Sequence, residues 1–215
     1  MKKLLFSMVL TAFASVSAFS QFTDDRKGEF FIGYSNQQVD TGVDPTDFDS
    51  FVNDRETFHG FNASGVYNVG RYVGVKGDIS GAYKRQSFNF AVPTGPGTSG
   101  NVAFDADAAL YNFVAGLQFK DNSTDGRVKP FAHVMGGLGH ARLKVSNLNC
   151  TGGVDCTGVA GSESENGLAG VFGGGIDIRL NNRVDLRLIQ VDYNPIRLGG
   201  EVSHNMRFGI GFVFK

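Results

Sequence analysis

The sequence predicts an all-β fold, an eight-stranded antiparallel up-and-down transmembrane β-barrel. Three observations predict it. The chain starts with a leader of export type, the rest divides into eight segments in which apolar and polar residues alternate, and the connections between segments are alternately long and short. Both ends of such a chain emerge on the side of the short turns, which is the topology of outer-membrane barrels.

The leader has the composition of a secretory signal peptide. A basic start precedes an apolar run, 4–18, that only Ser and Thr interrupt. Small residues up to Ser20 favour cleavage just before Gln21, and cleavage two residues earlier is the alternative. We therefore expect a signal peptide over 1–20 and one outer-membrane barrel domain over 21–215.

The overall composition favours β-structure and excludes some partners. The chain has 30 glycines and 20 phenylalanines but no tryptophan, which is typical of strands joined by tight bends. The formal net charge of -1 offers no field that would attract nucleic acid. Beyond the leader, no stretch approaches the roughly 18 to 20 continuous apolar residues of a spanning helix, so any membrane crossing must use strands.

Period-two alternation defines the strands and their connections. The predicted strands are 28–35, 59–68, 73–84, 111–120, 128–145, 168–179, 184–193 and 205–214. The long connections are 36–57, 85–106, 146–167 and 194–203, and the short turns are 68–71, 121–127 and 181–183. The faces of 128–145 stay unassigned, and a bulge is expected there. A second bulge is expected beyond Ile189, so that Gln190 and Asp192 return to the polar face.

One face of most segments is apolar or glycine, and the other face is polar. The apolar face ends in aromatic residues typical of membrane girdles, namely Tyr34, Tyr67, Tyr83, Tyr111 and Phe119. The polar face predicts a lumen charge network of Glu29, Lys76, Asp78, Asp177, Arg179, Arg187 and Arg207, together with Gln118. A Lys or Arg that faces lipid at mid-depth costs about 2 to 4 kcal/mol, so these charges belong inside. The alternative is a soluble lipocalin-like ligand carrier, in which the two faces are exchanged.

Cys150 and Cys156 lie in a loop rich in Gly and Thr. In an oxidising compartment a pair this close is readily bridged, so we expect a disulfide that stiffens a loop tip. A metal-binding pair is the competing interpretation, but no histidine lies beside them.

Three stretches resemble the small outer-membrane β-barrel family related to the OmpA transmembrane domain and OmpX. They are 28–34 (GEFFIGY), 129–133 (KPFAH) and 207–214 (RFGIGFVF). The resemblance implies that Phe208, Ile210, Phe212 and Phe214 form a C-terminal signal read by the barrel-assembly machinery. It also implies outer-membrane lipid and periplasmic chaperones as partners, and a monomer in the bacterial outer membrane.

Candidate sites for chemistry are few. Some proteins of this architecture modify outer-membrane lipid, and Ser203-His204-Asn205 is the candidate for such an enzyme. However, the adjacent Ser and His of a strand point to opposite faces, so no enzyme is expected.

His59, His133 and His140 lack neighbours at metal-ligand spacing, and no cofactor is expected. The glycine clusters 136–137 and 173–175 indicate close strand packing rather than a phosphate-binding loop.

The expected function is therefore non-enzymatic. It is either a contribution to envelope integrity or binding and adhesion through the extracellular loops, with a loop partner that the sequence does not name. A small low-conductance pore is the alternative, although an eight-stranded lumen is only wide enough for side chains. The first loop is acidic, with Asp40, Asp44, Asp47, Asp49 and Asp54, and could bind a cation or a basic partner; simple solvation of these charges is the other interpretation.

Overall fold

A computed structural model describes residues 27–40, 55–95, 98–122, 126–154, 156 and 160–215. Eight antiparallel strands form a closed barrel in which each strand pairs with its neighbours in sequence and β1 pairs with β8. The strands are β1 (Gly28–Asp40), β2 (Arg55–Asn68), β3 (Val73–Gly95), β4 (Thr98–Lys120), β5 (Val128–Thr151), β6 (Gly161–Arg179), β7 (Val184–Leu198) and β8 (Glu201–Phe214). The predicted fold class is confirmed.

The described part of the chain contains no helix that is long and apolar enough to cross a membrane. The predicted signal peptide, 1–20, lies outside the described residues, as do Asp44, Asp47, Asp49 and Asp54 of the acidic loop.

The alternation in the sequence determines which side chains face outward. Ile79 and Phe113 are cross-strand partners on the outer surface, and each is about half exposed, at 48% and 51%. Their neighbours Ser80 and Asn112 also pair with each other, but these two are buried in the barrel. Because successive side chains of a strand point to opposite faces, one register fixes an apolar outside and a polar inside.

Short turns and both described chain ends lie at one end of the barrel. The Asn181 side chain closes one of these turns, since its Oδ1 accepts hydrogen bonds from Arg183 N at 2.8 Å and Val184 N at 2.9 Å. Lys27 O accepts from Asn68 N, and Lys215 N donates to Arg183 O, so both chain ends are held against these turns. In outer-membrane barrels this end faces the periplasm and the longer hairpins face outward.

The predicted long connections contain much more strand than expected. The regions predicted as the irregular connections 85–106 and 146–167 are largely continuations of β3, β4, β5 and β6. Beyond the membrane neither face must be apolar, so the alternation that marks a strand fades while the backbone hydrogen bonds continue. The predicted loop 194–203 is also mostly strand, with a tight turn at Gly199 and Gly200, whose φ values are 57° and 94°.

Four strands extend beyond the rest of the barrel and form a sheet that we call the extracellular sheet. It consists of residues 85–95, 98–108, 142–151 and 161–167. The pairing between β2 and β3 ends at His59 and Tyr83, and the pairing between β6 and β7 ends at Leu168 and Arg197. The sheet therefore rises above the barrel from one half of its circumference.

The two predicted bulges have different outcomes. Pairing between β5 and β6 is continuous from Val128 to Val145, so the bulge expected in 128–145 is wrong. The bulge expected beyond Ile189 is confirmed, because the β7–β8 register shifts between Arg187 and Gln190. Leu188 and Ile189 are consequently both exposed to the outside, and Gln190 and Asp192 are buried.

The barrel closes where Gly33 of β1 lies opposite Gly211 of β8. A Cβ atom at Gly33 would lie 2.3 Å from the Ile210 carbonyl oxygen, and one at Gly211 would lie 2.3 Å from the Ile32 carbonyl oxygen. Only glycine fits at either position, because real Cβ atoms do not approach backbone oxygens so closely.

The interior has two layers. Charged and amide side chains fill the part towards the short turns. An apolar cluster fills the part towards the long hairpins, and it consists of Leu110, Val114, Met135, Ala169, Val171 and Ile196. The sequence predicts charges in the lumen but not this apolar layer. The layer also explains why the two faces of 128–145 could not be assigned from the sequence. Phe131 and Met135 face inward on the same side as Lys129 and His133, so neither face is uniformly polar or apolar.

Candidate functional site

A cluster of opposite charges occupies the periplasmic end of the lumen. Lys120 Nζ lies 2.9 Å from both Glu29 Oε2 and Asp177 Oδ2. Arg187 Nε donates to Asp177 Oδ1 at 2.8 Å, and Arg187 Nη2 donates to Asp177 Oδ2 at 3.2 Å. These side chains are almost completely buried, and such pairs are stable inside a protein only when their hydrogen bonds are satisfied in this way.

Two aromatic rings hold the Arg187 guanidinium in place. Its Cζ lies 4.3 Å from the ring centroid of Phe31 and 4.0 Å from that of Phe131. The faces of aromatic rings attract cations, and the attraction is stronger when water is excluded. The two rings also fill the lumen where side chains from opposite walls meet.

A second cluster lies nearer the middle of the barrel around Arg207. Its Nη1 donates to Asp78 Oδ1 at 3.0 Å, and its Nη2 and Nε donate to Asp192 Oδ2 at 2.7 and 2.9 Å. Asn62 Nδ2 donates to Asp78 Oδ1 at 2.8 Å. Lys76 Nζ lies 3.2 Å from His133 Nδ1, and His133 Nε2 lies 2.9 Å from Asp192 Oδ1.

Gln190 connects the two clusters. Its Oε1 accepts from Arg187 Nη1 at 2.8 Å, and its Nε2 donates to Asp192 Oδ2 at 2.6 Å. The contacts therefore run without a break from Glu29 near the periplasmic rim to Asn62 in the barrel centre. With the apolar layer above them, they fill the lumen with side chains.

The structure places the predicted charges as follows. Glu29, Lys76, Asp78, Asp177, Arg187 and Arg207 are buried in the lumen, and Arg179 is half-buried opposite Asp185 near the periplasmic rim. The proposed network omitted Lys120, His133, Asp185 and Asp192. Lys120 could have been included from its place on the polar face of its segment, whereas His133 lies in the strand whose faces were unassigned. Asp185 pairs with Lys215, the last residue.

The Ser-His-Asn candidate does not form a catalytic arrangement. Ser203 points inward, and its Oγ donates to Asn205 Oδ1 at 3.0 Å. His204 points outward, where its Nδ1 lies 2.5 Å from the Tyr193 hydroxyl. The two side chains therefore lie on opposite sides of the barrel wall, as expected for adjacent residues of a strand.

The other outward-facing histidines also lie beside tyrosines. The Tyr34 hydroxyl lies 2.5 Å from His59 Nδ1, and the rings of Tyr111 and His140 are 6.2 Å apart. His140 Nδ1 also lies 2.7 Å from Asn166 Oδ1. Among the residues that the structure describes, no group of His, Cys, Asp and Glu side chains is arranged to hold a metal ion.

Further candidates lie in the strands and in one hairpin. Of the predicted glycine clusters, 173–175 lies within β6, where a Cβ atom at Gly173 would lie 2.4 Å from the Val191 carbonyl oxygen. Cys150 and Cys156 are joined by a disulfide with Cα atoms 6.4 Å apart, near the tip of the β5–β6 hairpin. The residues of the predicted C-terminal signal all face outward from β8, and they are Phe208, Ile210, Phe212 and Phe214.

The face of the extracellular sheet that continues the barrel interior carries an aromatic cluster. The rings of Phe88 and Phe104 stack with centroids 5.1 Å apart, and Phe90 meets Phe104 edge-on at 6.1 Å. Phe88 and Phe90 nevertheless remain 37% and 48% exposed. Contiguous exposed aromatic residues on a sheet outside the membrane are typical of a binding surface.

The opposite face of this sheet is polar, and an ion pair and hydrogen bonds stabilise it. Arg85 forms an ion pair with Asp107. Asp105 accepts hydrogen bonds from Ser87 Oγ at 2.6 Å and Asn147 Nδ2 at 2.7 Å. Asn147 has a φ of 55° beside a register shift in the β4–β5 pairing, so its backbone and side chain together shape this bend.

The sheet should loosen in acid. The hydrogen bond from Ser87, followed by that from Asn147, lowers the pKa of Asp105 below its ordinary 3.8, and the hydrogen bond from Arg85 lowers the pKa of Asp107. A lowered carboxyl pKa stabilises the folded sheet above the ordinary value, and this contribution is lost as the pH falls through the folded pKa. Amide protection factors measured by NMR, corrected for intrinsic exchange, should therefore fall in the sheet between about pH 5 and pH 2.

The variants Asp105→Asn and Asp107→Asn serve as the control for this titration. Each should make the sheet amides less sensitive to pH. Unchanged pH sensitivity of the sheet amides in both variants would contradict the assignment to these two carboxyl groups.

Comparisons with known proteins find similar structures only. No family model matches the sequence, and no curated protein matches it. The crystal structure of Ail, the attachment invasion locus protein of Yersinia pestis, has a TM-score of 0.52 and 20% identity, and the match covers 89% of this chain and 100% of that chain. The complex of Ail with the heparin analogue sucrose octasulfate gives 0.51 and 21%, covering 88% and 100%. Neisserial surface protein A has a TM-score of 0.43 and 14% identity, covering 89% and 99%.

These features define the class of protein. A closed barrel has no free sheet edge within the membrane, and its apolar outside with a polar lumen is the reverse of a soluble barrel. The chain is therefore an outer-membrane β-barrel, and the soluble lipocalin-like alternative is wrong. It shares the fold of the small barrels that its sequence resembles. Its place is the bacterial outer membrane, with lipid against the outward-facing side chains.

Proposed function

We propose that this protein is a non-enzymatic outer-membrane barrel that binds a partner at the cell surface through its extracellular sheet. The observation that carries the proposal is the exposed cluster of Phe88, Phe90 and Phe104 on a sheet that rises from a rigid barrel. Aromatic side chains supply much of the energy of protein interfaces, because they bury a large area with little loss of conformational freedom.

The filled lumen favours a role for the barrel as a rigid scaffold over a role as a channel. The ionic clusters and the apolar layer together occupy the interior that a pore would need to keep open. An eight-stranded barrel has little room beyond its own side chains. A rigid, filled barrel is instead a suitable base for holding a binding surface at a fixed height above the membrane.

The charges on the extracellular sheet favour an apolar contact over a polyanion. Ail, which has the same fold, has been solved with a sulfated sugar analogue. Here Arg85 pairs with Asp107. The described residues of the sheet carry more carboxylates than cations, namely Asp105, Asp107, Glu163 and Glu165 against Arg85, Arg142 and Lys144. The aromatic cluster is therefore the part of this sheet that we expect a partner to contact.

The double variant Phe88→Ser/Phe90→Ser tests the proposal. A strain lacking the gene, carrying either the native or the variant gene, is scored for adhesion to cultured epithelial cells and for attachment between bacteria. We expect the variant to lose adhesion about tenfold or more, since aromatic anchors at interfaces are commonly worth 2 kcal/mol or more.

Asn89→Ser/Ala91→Ser is the matched control, because these residues alternate with the two phenylalanines on the opposite face of the same strand. It should adhere like the native protein. Equal adhesion of both variants would overturn the binding proposal. If deletion also makes the cells permeable to detergent and the phenylalanine variant restores that barrier, envelope integrity becomes the better proposal.

A further inference from the structure

A cavity of about 660 Å³ opens at the extracellular mouth of the barrel, above the apolar layer. Every strand except β3 contributes to its walls. The buried side chains of Leu110 and Ile196 form its floor, and both belong to the apolar cluster of the lumen. The cavity is therefore closed below and open to the outside, and its size is typical of sites for small organic ligands.

The walls of this mouth cavity are mainly apolar. Side chains from four strands contribute, and they are Val39, Phe58, Ala141, Leu143 and Leu198. Ser203 and Asn205 provide a polar patch on β8, and their hydroxyl and amide groups bond to each other and to the backbone of Asp40 and Asn194. Most of the surface that a ligand would contact is thus hydrocarbon, which favours an apolar body.

One wall carries negative charge. Glu163 and Glu165 lie on the same face of β6 as the buried Ala169 and Val171, because an even number of residues separates these positions, and both line the cavity. Glu165 accepts a hydrogen bond from Gly199 N, and among the described residues neither carboxylate forms an ion pair.

The nearby cations do not neutralise this wall. Arg142 also lines the cavity, but its Nε donates to Ser162 Oγ at 3.3 Å on the outer face of the sheet. Lys84, which shares the inward face of β3, pairs with Glu56. Most of the cavity wall is therefore apolar, and the wall formed by β6 is anionic.

We propose that the mouth cavity binds an amphipathic organic cation. Its hydrocarbon part would lie against Leu110, Ala141 and Ile196, and its ammonium or guanidinium group would lie at Glu163 and Glu165. Charge complementarity with the two carboxylates selects the cation over a neutral or anionic molecule with the same body. This site is separate from the aromatic cluster and extends the proposed function to a small ligand.

Binding is measured with the mature protein in phospholipid nanodiscs, so that no detergent competes for the cavity. The probes are 4-phenylbutylamine, 4-phenylbutanol and 4-phenylbutyrate, which share one body and differ in charge, and protein-free nanodiscs provide the background. We expect the amine to bind about tenfold more tightly than the alcohol and the acid to bind weakest, since each exposed charge pair contributes up to about fivefold.

The double variant Glu163→Gln/Glu165→Gln should lower the affinity for the amine about tenfold and leave the alcohol unchanged. Gln at 165 retains an acceptor for Gly199 N. Glu201→Gln is the matched control, because it removes an extracellular carboxylate outside the cavity, and it should bind all three probes like the native protein. Ala141→Phe should weaken the amine and the alcohol alike, because it fills the cavity.

A heat-modifiable gel band shows that each variant has formed the barrel. If Ala141→Phe fails to fold, the charge variants still decide the result. Equal affinities for the three probes, unchanged amine binding by Glu163→Gln/Glu165→Gln, or no binding above the protein-free background would each overturn the proposal.

Discussion

Replacing Arg207 with Met should lower the free energy of unfolding by about 3 to 5 kcal/mol, because it leaves two buried carboxylates without their cation. Arg207 donates to both Asp78 and Asp192, and all three side chains are at most 2% exposed. Urea unfolding in lipid vesicles, followed by circular dichroism and by the heat-modifiable band, measures the change. Tryptophan fluorescence cannot be used, since the chain has no tryptophan.

Two further variants show whether the effect comes from unpaired charge. Arg85→Met removes an exposed arginine from the ion pair with Asp107 and should leave the unfolding midpoint in place. The triple variant Asp78→Asn/Asp192→Asn/Arg207→Met should recover most of the lost stability, because it removes the charges together. If Arg207→Met unfolds like the native protein, the lumen network does not contribute as described.

An Ile79→Arg variant should also be strongly destabilised, by about 2 to 4 kcal/mol. Ile79 faces outward on β3 between Tyr72, in the turn just before the strand, and Tyr83, at the extracellular end of its lipid-facing part. An arginine there would place its charge in hydrocarbon. The measurement is again urea unfolding in vesicles, together with the yield of folded protein.

Val202→Arg provides the comparison at the membrane boundary. Val202 is similarly exposed, at 47%, but it lies beside the extracellular turn between β7 and β8, where the cost should be at most about 1 kcal/mol. Equal stability of the two variants would mean that Ile79 does not contact lipid at mid-depth.

The barrel could be predicted because a membrane imposes period-two alternation on every strand that crosses it. Ile79 must face lipid and Ser80 must not, so the register can be read from residue types. The register shift beyond Ile189 could also be predicted from residue types. Two consecutive apolar residues precede Gln190 and Asp192, so the alternation of the two faces is interrupted there. Outside the membrane this constraint disappears, and the extended parts of β3 to β6 were predicted as loops.

The candidate sites were predictable only in part. Charges such as Arg207 stand out on an otherwise apolar strand, but their partners come from distant segments that the sequence does not align. The apolar layer hid the orientation of Phe131, His133 and Met135, because the usual contrast between faces is absent there. The mouth cavity and the aromatic cluster depend on residues from several strands, so no local pattern marks them.

The closure between Gly33 and Gly211 also determines the order in which the strands can form. Seven of the eight pairings join neighbours in the chain, and hairpins of this kind form early because little loop entropy is lost. The eighth joins the two ends of the domain, so we expect it to form last because it closes the longest stretch of chain. Until then, β1 and β8 each present an unpaired edge, so the nearly complete sheet is most prone to aggregation just before it closes. Slow folding and dependence on chaperones are thus expected to concentrate in this single step.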